Sequence, residues 1–298
     1  MSAAKPSAPA GASAPMPRLL PRWRQHGGFL FGCTVLAIMA ALAIFAPLLT
    51  PYSPYAQNLL VRMQPPVWMD GGNWTHPFGT DHLGRDYLAR LLFGARISLL
   101  VGLSVTAISC LIGTTLGVVA GYFGGRVDTV ISFLITARLA IPVILVALAV
   151  VALVGSSLQI VVGVLGLLLW DRFAIVMRAT TQQIRSADFI VAARVQGASN
   201  SQIIFQEVLP NVVNNLLVVA TLEIAQAIVL EAALSFLGIG VPAPTPSWGL
   251  MIAEGRANIL FDPWLITIPG AILFMLVLAT NMTGDGLRDL TSPESRNR

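Results

Sequence analysis

The sequence predicts an all-α polytopic membrane protein with six transmembrane helices. Three observations predict it. Hydrophobic residues make up 55% of the chain and charged residues only 11%, with a mean hydropathy of +0.76; soluble domains carry about a quarter charged residues. Six stretches approach the roughly 20 apolar residues that a span needs. In lipid the backbone must satisfy its own hydrogen bonds, so each stretch is expected to be helical.

The six spans are Phe29–Leu49, Ser98–Tyr122, Val130–Val154, Leu158–Met177, Leu216–Leu237 and Trp264–Met282. The first is too long for a signal-peptide core and is read as retained. Asp171 and Arg172 interrupt the fourth. Pro142 and Pro269 lie inside spans and are candidate kinks. The domain reading is a tail over 1–28, a first helix with an extracytoplasmic segment over 29–97, a core over 98–285 and a tail over 286–298. Residues 2–17 are rich in Ala, Ser and Pro, a composition that cannot build a core.

Charge sets an expected orientation. Lys5, Arg18, Arg22 and Arg24 precede the first span with no acid among them, which places the N-terminus in the cytoplasm. Six spans then put loop 178–215 and the C-terminal tail on the same side. Residues 50–97 and 238–263 face the other side. The net charge of +4 is dispersed and does not indicate nucleic acid, so no nucleic-acid partner is expected and the lipid bilayer is. Cys33 and Cys110 both fall in spans and read as small packing residues rather than a disulfide.

Between the fourth and fifth spans stands a polar, helix-capable hairpin. Ser186 is placed to cap a first short helix over Ala187–Gln196, and Gly197 follows where a left-handed residue ends many helices. Ser199 and Gln202 have capping-box spacing for a second helix. Ile204/Val208 and Phe205/Leu209 give that helix an apolar face, and Pro210 is expected to end it. Such a hairpin is either a handle for a soluble partner or an ordinary loop.

Within the spans, Ser109, Gly113, Gly117, Gly121 and Gly125 recur every four residues. This small-residue stripe suits close helix packing. Ionisable groups at membrane depth are Arg138, Asp171, Arg172, Glu223 and Glu231. Glu223 and Glu231 share one helical face. They either line a translocation path or pair internally, for example with Arg138.

Enzyme chemistry is thin, and no catalytic or metal site is assigned. His76, Asp81 and His82 could meet in the outer loop, without a recognised metal spacing. Neither GxSxG nor HExxH occurs. Lys5 is the only lysine, so the chain has no phosphate-binding Walker lysine outside its tail. ATP and Mg²⁺, where they drive this protein, are expected on another subunit.

Three blocks carry a family resemblance. They are HPFGTDHLGRDYLARLLFGARISLLVG at 76–102, DFIVAARVQGASNSQIIFQEVLPN at 188–211, and EAALSFLGIGVPAPTPSWGLMIAEGR at 231–256, continued by PWLITIPGAILFMLVLATNMTGDGLRDLTSP at 263–293. The chain resembles the permease subunits of ABC importers, of the C type found in dipeptide, oligopeptide and nickel uptake. The resemblance spans about residues 29–295 and implies a type I importer permease fold in a bacterial inner membrane. It implies a heterodimer with a second permease, two ATP-binding subunits and an extracytoplasmic binding protein. The second block resembles the EAA loop, a coupling helix seated on an ATPase. Ala192, Ala193, Gly197, Ala198, Leu209 and Pro210 carry that match, while Val191 stands where the pattern often has glutamate. Glu231, Glu223, Ser235, Pro246 and Trp248 are the candidate gate or pathway residues. The proline-rich segment 242–249 is either a gate, a docking surface or a plain connection. The expected function is peptide import; nickel, glutathione or another small solute on the same fold is the alternative. An ATP-independent channel and an intramembrane enzyme are the readings from other classes.

Overall fold

The computed structural model describes residues 27–291, and every regular element among them is helical. The tail read over residues 1–28 lies outside this range but for its last two residues, as do residues 292–298. α1 (Gly27–Ile44) is followed by the short α2 (Ala46–Leu49). An irregular segment then leads to α3 (Tyr87–Phe123) and α4 (Gly125–Leu139). α5 (Val143–Val154), α6 (Leu158–Leu168) and α7 (Asp171–Ile184) lead to the hairpin. The hairpin holds α8 (Asp188–Val195) and α9 (Asn200–Gln202). α10 (Leu209–Phe236), α11 (Trp248–Gly255) and α12 (Trp264–Thr291) complete the chain. Among the described residues five helices are long and apolar enough to cross a membrane, and six spans result if the bent α4–α5 pair is one.

The spans differ from the expected ones in instructive ways. The third is not one helix: α4 and α5 meet at 81°. Pro142 has no N–H to continue the ladder and is itself extended, with φ −60° and ψ 121°, at the start of α5. The fourth pauses at Leu169 and Trp170 and then runs to Ile184, past the expected end at Met177. The second starts at Tyr87, not Ser98, because Asp86 caps it by accepting from Ala89 N–H at 2.6 Å. Its 37 residues would extend about 55 Å, well beyond a hydrocarbon core of about 30 Å.

Pro210 does not end its helix. Helical structure runs from Asn200 to Phe236 without a break. A π-helical segment over Ile203–Val208 precedes the proline, and Leu209 N–H reaches back five residues to Ile204 C=O. The wider turn accommodates a residue whose ring would otherwise strike the preceding turn. Pro269 is likewise carried inside α12. The carbonyl that it leaves unbonded, Leu265 C=O, accepts from Tyr87 Oη at 2.5 Å.

The glycine stripe makes the α3–α7 contact. A Cβ at Gly113 would meet Trp170 C=O at 2.2 Å, one at Gly117 would meet Ala174 C=O at 2.5 Å, and one at Gly121 would meet Arg178 C=O at 2.7 Å. Ser109 Oγ donates to Gly166 C=O at 2.9 Å on the same side. Gly125 does not continue the stripe: it opens α4, and a Cβ there would have nothing within 4 Å. α10 packs against α3, α7, α11 and α12, and α1 lies against α12. Both cysteines are free and half-buried.

Candidate functional site

The hairpin is held by local bonds at its turn and by apolar packing beneath it. Gly197 has φ +86°, and its N–H bonds Arg194 C=O at 3.1 Å while Ala198 N–H bonds Ala193 C=O at 3.0 Å. These two bonds form a Schellman motif, which needs a left-handed residue at this position. Ser199 and Gln202 form the expected capping box. Ser186 does not cap α8; Ala187 holds that position with no side-chain bond, and α8 starts at Asp188. Ile190, Ile203, Val208 and Val212 are buried with Val118, Tyr122 and Met177. Tyr122 Oη donates to Asn200 Oδ1 at 2.9 Å, and the Arg194 guanidinium lies 5.6 Å from the Tyr122 ring centre.

Ala193, Ala198 and Leu209 are half-buried against this base, while Ala192, Gly197 and Pro210 are exposed. The expected apolar face is turned by the π segment. Ile203 and Val208 point inward, Ile204 and Leu209 are half-buried, and Phe205 is exposed. Phe189, Val191 and Val195 are exposed as well. A rigid, stapled hairpin thus carries an outward apolar surface at the end of the bundle. The position where the EAA pattern often has glutamate is Val191 on that surface.

At the opposite end, Glu231 organises the segment that follows α10. Its side chain is fully buried. Ser235 Oγ donates to Glu231 Oε1 at 2.7 Å and accepts from Val241 N–H at 3.2 Å. Ser247 Oγ donates to the same oxygen at 3.0 Å and accepts from Leu250 N–H at 3.1 Å, capping α11. Pro246 is buried beside it. Trp248 is buried, and its Nε1 donates to Leu91 C=O at 3.0 Å. Segment 242–249 is therefore fastened to both α10 and α3.

Sequence reading missed the ionic cluster next to it. Arg85 Nε donates to Asp81 Oδ2 at 2.6 Å, and Arg90 Nη1 donates to the same oxygen at 2.6 Å. Both arginines also donate to Glu254 on α11, Arg85 over 3.1 Å and Arg90 over 2.5 Å. Asp81, Arg85 and Arg90 are buried. Burial pushes the Asp81 carboxyl up, but Arg90 and the Arg85 N–H and guanidinium together outweigh it. The carboxyl sits below its ordinary value of 3.8. The spacing of Asp81 and Arg85 was a usable local signal; Glu254 lies too far along the chain to be one.

His76, Asp81 and His82 do not assemble. His76 Nδ1 lies 2.8 Å from Asp86 Oδ2. Asp81, His82 and Glu254 offer ligand atoms within 4.8 Å of one another. Both Asp81 oxygens already accept hydrogen bonds, from Leu83 and Arg85 N–H on one side and from two guanidinium groups on the other. The arrangement is an arginine–carboxylate cluster.

Deeper in the bundle, Arg138 Nη2 lies 3.6 Å from Asp171 Oδ1, and Arg138 Nε donates to Leu168 C=O, where α6 stops. Glu223 is buried and lies 3.3 Å from Arg172 Nη1. Its partner is Arg172, not Arg138. Glu223 and Glu231 do share one buried side of α10.

With this geometry in place, likeness to known proteins is informative. The family model for binding-protein-dependent transport system inner membrane components matches residues 113–297. That for the N-terminal TM domain of oligopeptide transport permease C matches residues 18–66. The dipeptide transport system permease protein DppC of Haemophilus influenzae is 38% identical over 272 residues, covering 91% of this chain and 92% of the relative. The oligopeptide transport system permease protein OppC of Bacillus subtilis is 32% identical over 275 residues, covering 92% and 88%. The fold is similar to that of an inward-facing MetNI methionine ABC transporter chain, with TM-score 0.56 and 19% identity over 68% of this chain and 97% of that one. A helical bundle with spans of membrane length and sequence likeness over 91% of the chain converge: this chain belongs to the binding-protein-dependent transport system inner membrane components, the multi-pass permease family of ABC importers.

Proposed function

We propose that this chain is one permease subunit of an ATP-driven importer of dipeptides and oligopeptides. Named relatives at 32–40% identity are permease proteins of such systems, which supports the substrate class. The observation that carries the mechanism is the hairpin. Its base is buried in the bundle, while Val191, Val195 and Phe205 project from it at 48%, 83% and 69% exposure.

A rigid apolar helix pair suits a groove on a partner. In this reading the partner is an ATPase subunit. The assembly holds a second, different permease, two ATPases carrying ATP and Mg²⁺, and an extracytoplasmic binding protein over the 242–249 end. The hairpin and both termini lie in the cytoplasm. ATP closes the ATPase pair, the hairpins move with it, and the spans reopen toward the binding protein. Gly197, Ala192, Ala193 and Ala198 shape the contact, and Leu209 and Pro210 join it to α10. Glu231, Ser235, Pro246 and Trp248 hold the outer gate, and Glu223 supports the path wall.

The test is co-expression with the neighbouring transporter subunits and reconstitution in liposomes. The expected result is a stable complex whose ATPase rate rises with loaded binding protein and which accumulates labelled dialanine. Purification of the chain without ATPase subunits would overturn the coupling assignment. Uptake of nickel or glutathione in place of peptide would overturn the substrate class alone.

A further inference from the structure

The ionic groups at mid-span are arranged unevenly, and that unevenness has a chemical consequence. Arg138, Asp171, Arg172 and Glu223 form two ion pairs where two spans are broken: α4 and α5 part beside Arg138, and α6 and α7 part just before Asp171. Two cations and two carboxylates balance. The carboxylates are buried, whereas the Arg172 side chain is 56% exposed. The pair therefore shows a guanidinium outward, anchored from behind by Glu223.

Arg172 lies one residue past the middle of the span Leu158–Ile184. A half-exposed guanidinium at that depth cannot face hydrocarbon without a large penalty, so it faces water or protein. A second observation gives the same direction. On the seam between α7 and α10, exposed Asn215 donates to Thr180 Oγ1 at 3.1 Å, two turns from Arg172 toward the hairpin. Accessible polar groups at two depths along one seam suit a wall that meets water. With Nη1 turned to Glu223, the guanidinium keeps N–H groups on its exposed side, and arginine is the side chain suited to grip a carboxylate through paired hydrogen bonds.

We propose that the α7–α10 seam walls the translocation path and that Arg172 receives the C-terminal carboxylate of the peptide in transit, with Glu223 as its positioning residue. The proposal rests on the peptide-import reading. Broken helices give such a site a place where charged side chains and a freed backbone carbonyl are already paired within the bundle.

The test uses the full complex in liposomes. Cys33 and Cys110 are replaced by Ala, and Ile175→Cys places a thiol on the exposed face one turn from Arg172. A membrane-impermeant methanethiosulfonate reports wetting. The thiol is expected to react, and millimolar L-alanyl-L-alanine is expected to slow the reaction several-fold. The C-terminal amide of that dipeptide should not. Adding Arg172→Gln should remove the protection and lower peptide uptake per ATP about tenfold, the scale of one lost charge-assisted contact, with assembly unchanged. Arg172→Lys should keep part of both, and Glu223→Gln should weaken protection without abolishing it. A thiol that is unreactive in every nucleotide state, or equal protection by dipeptide and amide, overturns the proposal. If the wild-type complex takes up no peptide, the import reading fails separately. Protection by acetate that depends on Arg172 then upholds the carboxylate site, and its absence overturns that too.

Discussion

Ser247 Oγ donates to Glu231 Oε1 across 3.0 Å, and the same hydroxyl accepts the Leu250 N–H that starts α11. One carboxylate oxygen thereby ties the end of a span to the cap of the next helix. Ser235 repeats the arrangement through Val241 N–H. Glu231→Gln keeps an oxygen for both hydroxyls, so assembly should persist. Transport and basal ATPase rate should change, since the charge at the gate is gone. Glu231→Leu strands two buried hydroxyls, at roughly 1–3 kcal/mol each, and should lower membrane abundance as well. Uptake and basal ATPase rates of the glutamine variant equal to wild type would show that Glu231 only packs.

Gly117→Leu should prevent α3 and α7 from closing. Its Cβ alone would sit 2.5 Å from Ala174 C=O and 2.8 Å from Met177 Cβ. Overpacking costs about 1–3 kcal/mol where side chains can yield, and backbone yields less. The variant should be lost from the membrane. Gly163→Ala, with nothing within 4 Å of the new methyl, should be neutral or slightly stabilising. Thermal unfolding in detergent compares them.

Gly197→Trp should leave the permease inserted and stop uptake. Among the described residues, beyond its chain neighbours, nothing lies within 4 Å of a Cβ there, so the bulk falls on whatever covers the hairpin. Its φ of +86° adds about 1–2 kcal/mol of local strain. Gly197→Asn, which tolerates that conformation, separates the two effects and should retain most uptake. Equal uptake for wild type and the tryptophan variant at equal abundance would end the coupling assignment.

The Asp81 cluster predicts an acid limit. Its folded carboxyl lies below the ordinary 3.8, so its contribution is fully present above that value and lost as pH falls through the folded value. Unfolding temperature should not respond to Asp81 between pH 5 and 8. Asp81→Asn should reduce stability in that range and flatten the fall below it. Glu254→Gln leaves Arg85 and Arg90 sharing one carboxylate and should cost about 3 kcal/mol.

A reporter fused after residue 200 should be cytoplasmic and one near residue 70 extracytoplasmic. Lys5, Arg18, Arg22 and Arg24 before the first span motivate this. The same side for both would contradict an odd number of crossings between them.

How much was legible depended on distance along the chain. The Gly197 turn and the Ser199–Gln202 cap were readable because each is closed by bonds within five residues. The stripe at Gly113, Gly117 and Gly121 was readable because helical period is a local property. Pro210 misled because the π turn before it accommodates the ring, and that π segment has no sequence signature. The expected span began only at Ser98 because Arg85, Arg90 and Arg96 break the apolar run before it, yet Arg85 and Arg90 are neutralised by Asp81 and by Glu254 from 164 and more residues away.

The sequence by itself determined the solvent of this protein, its helices, the local shape of its hairpin and its family. Each of these follows from composition, period or neighbouring residues. Only the tertiary structure decided which charges meet. Tyr87 answers the carbonyl that Pro269 leaves open, Ser247 answers Glu231, and Glu223 holds Arg172 outward. The physical reason is that a buried polar group requires a partner but does not specify one. The choice is made by which helix faces pack, and that is settled by contacts spread over the whole bundle.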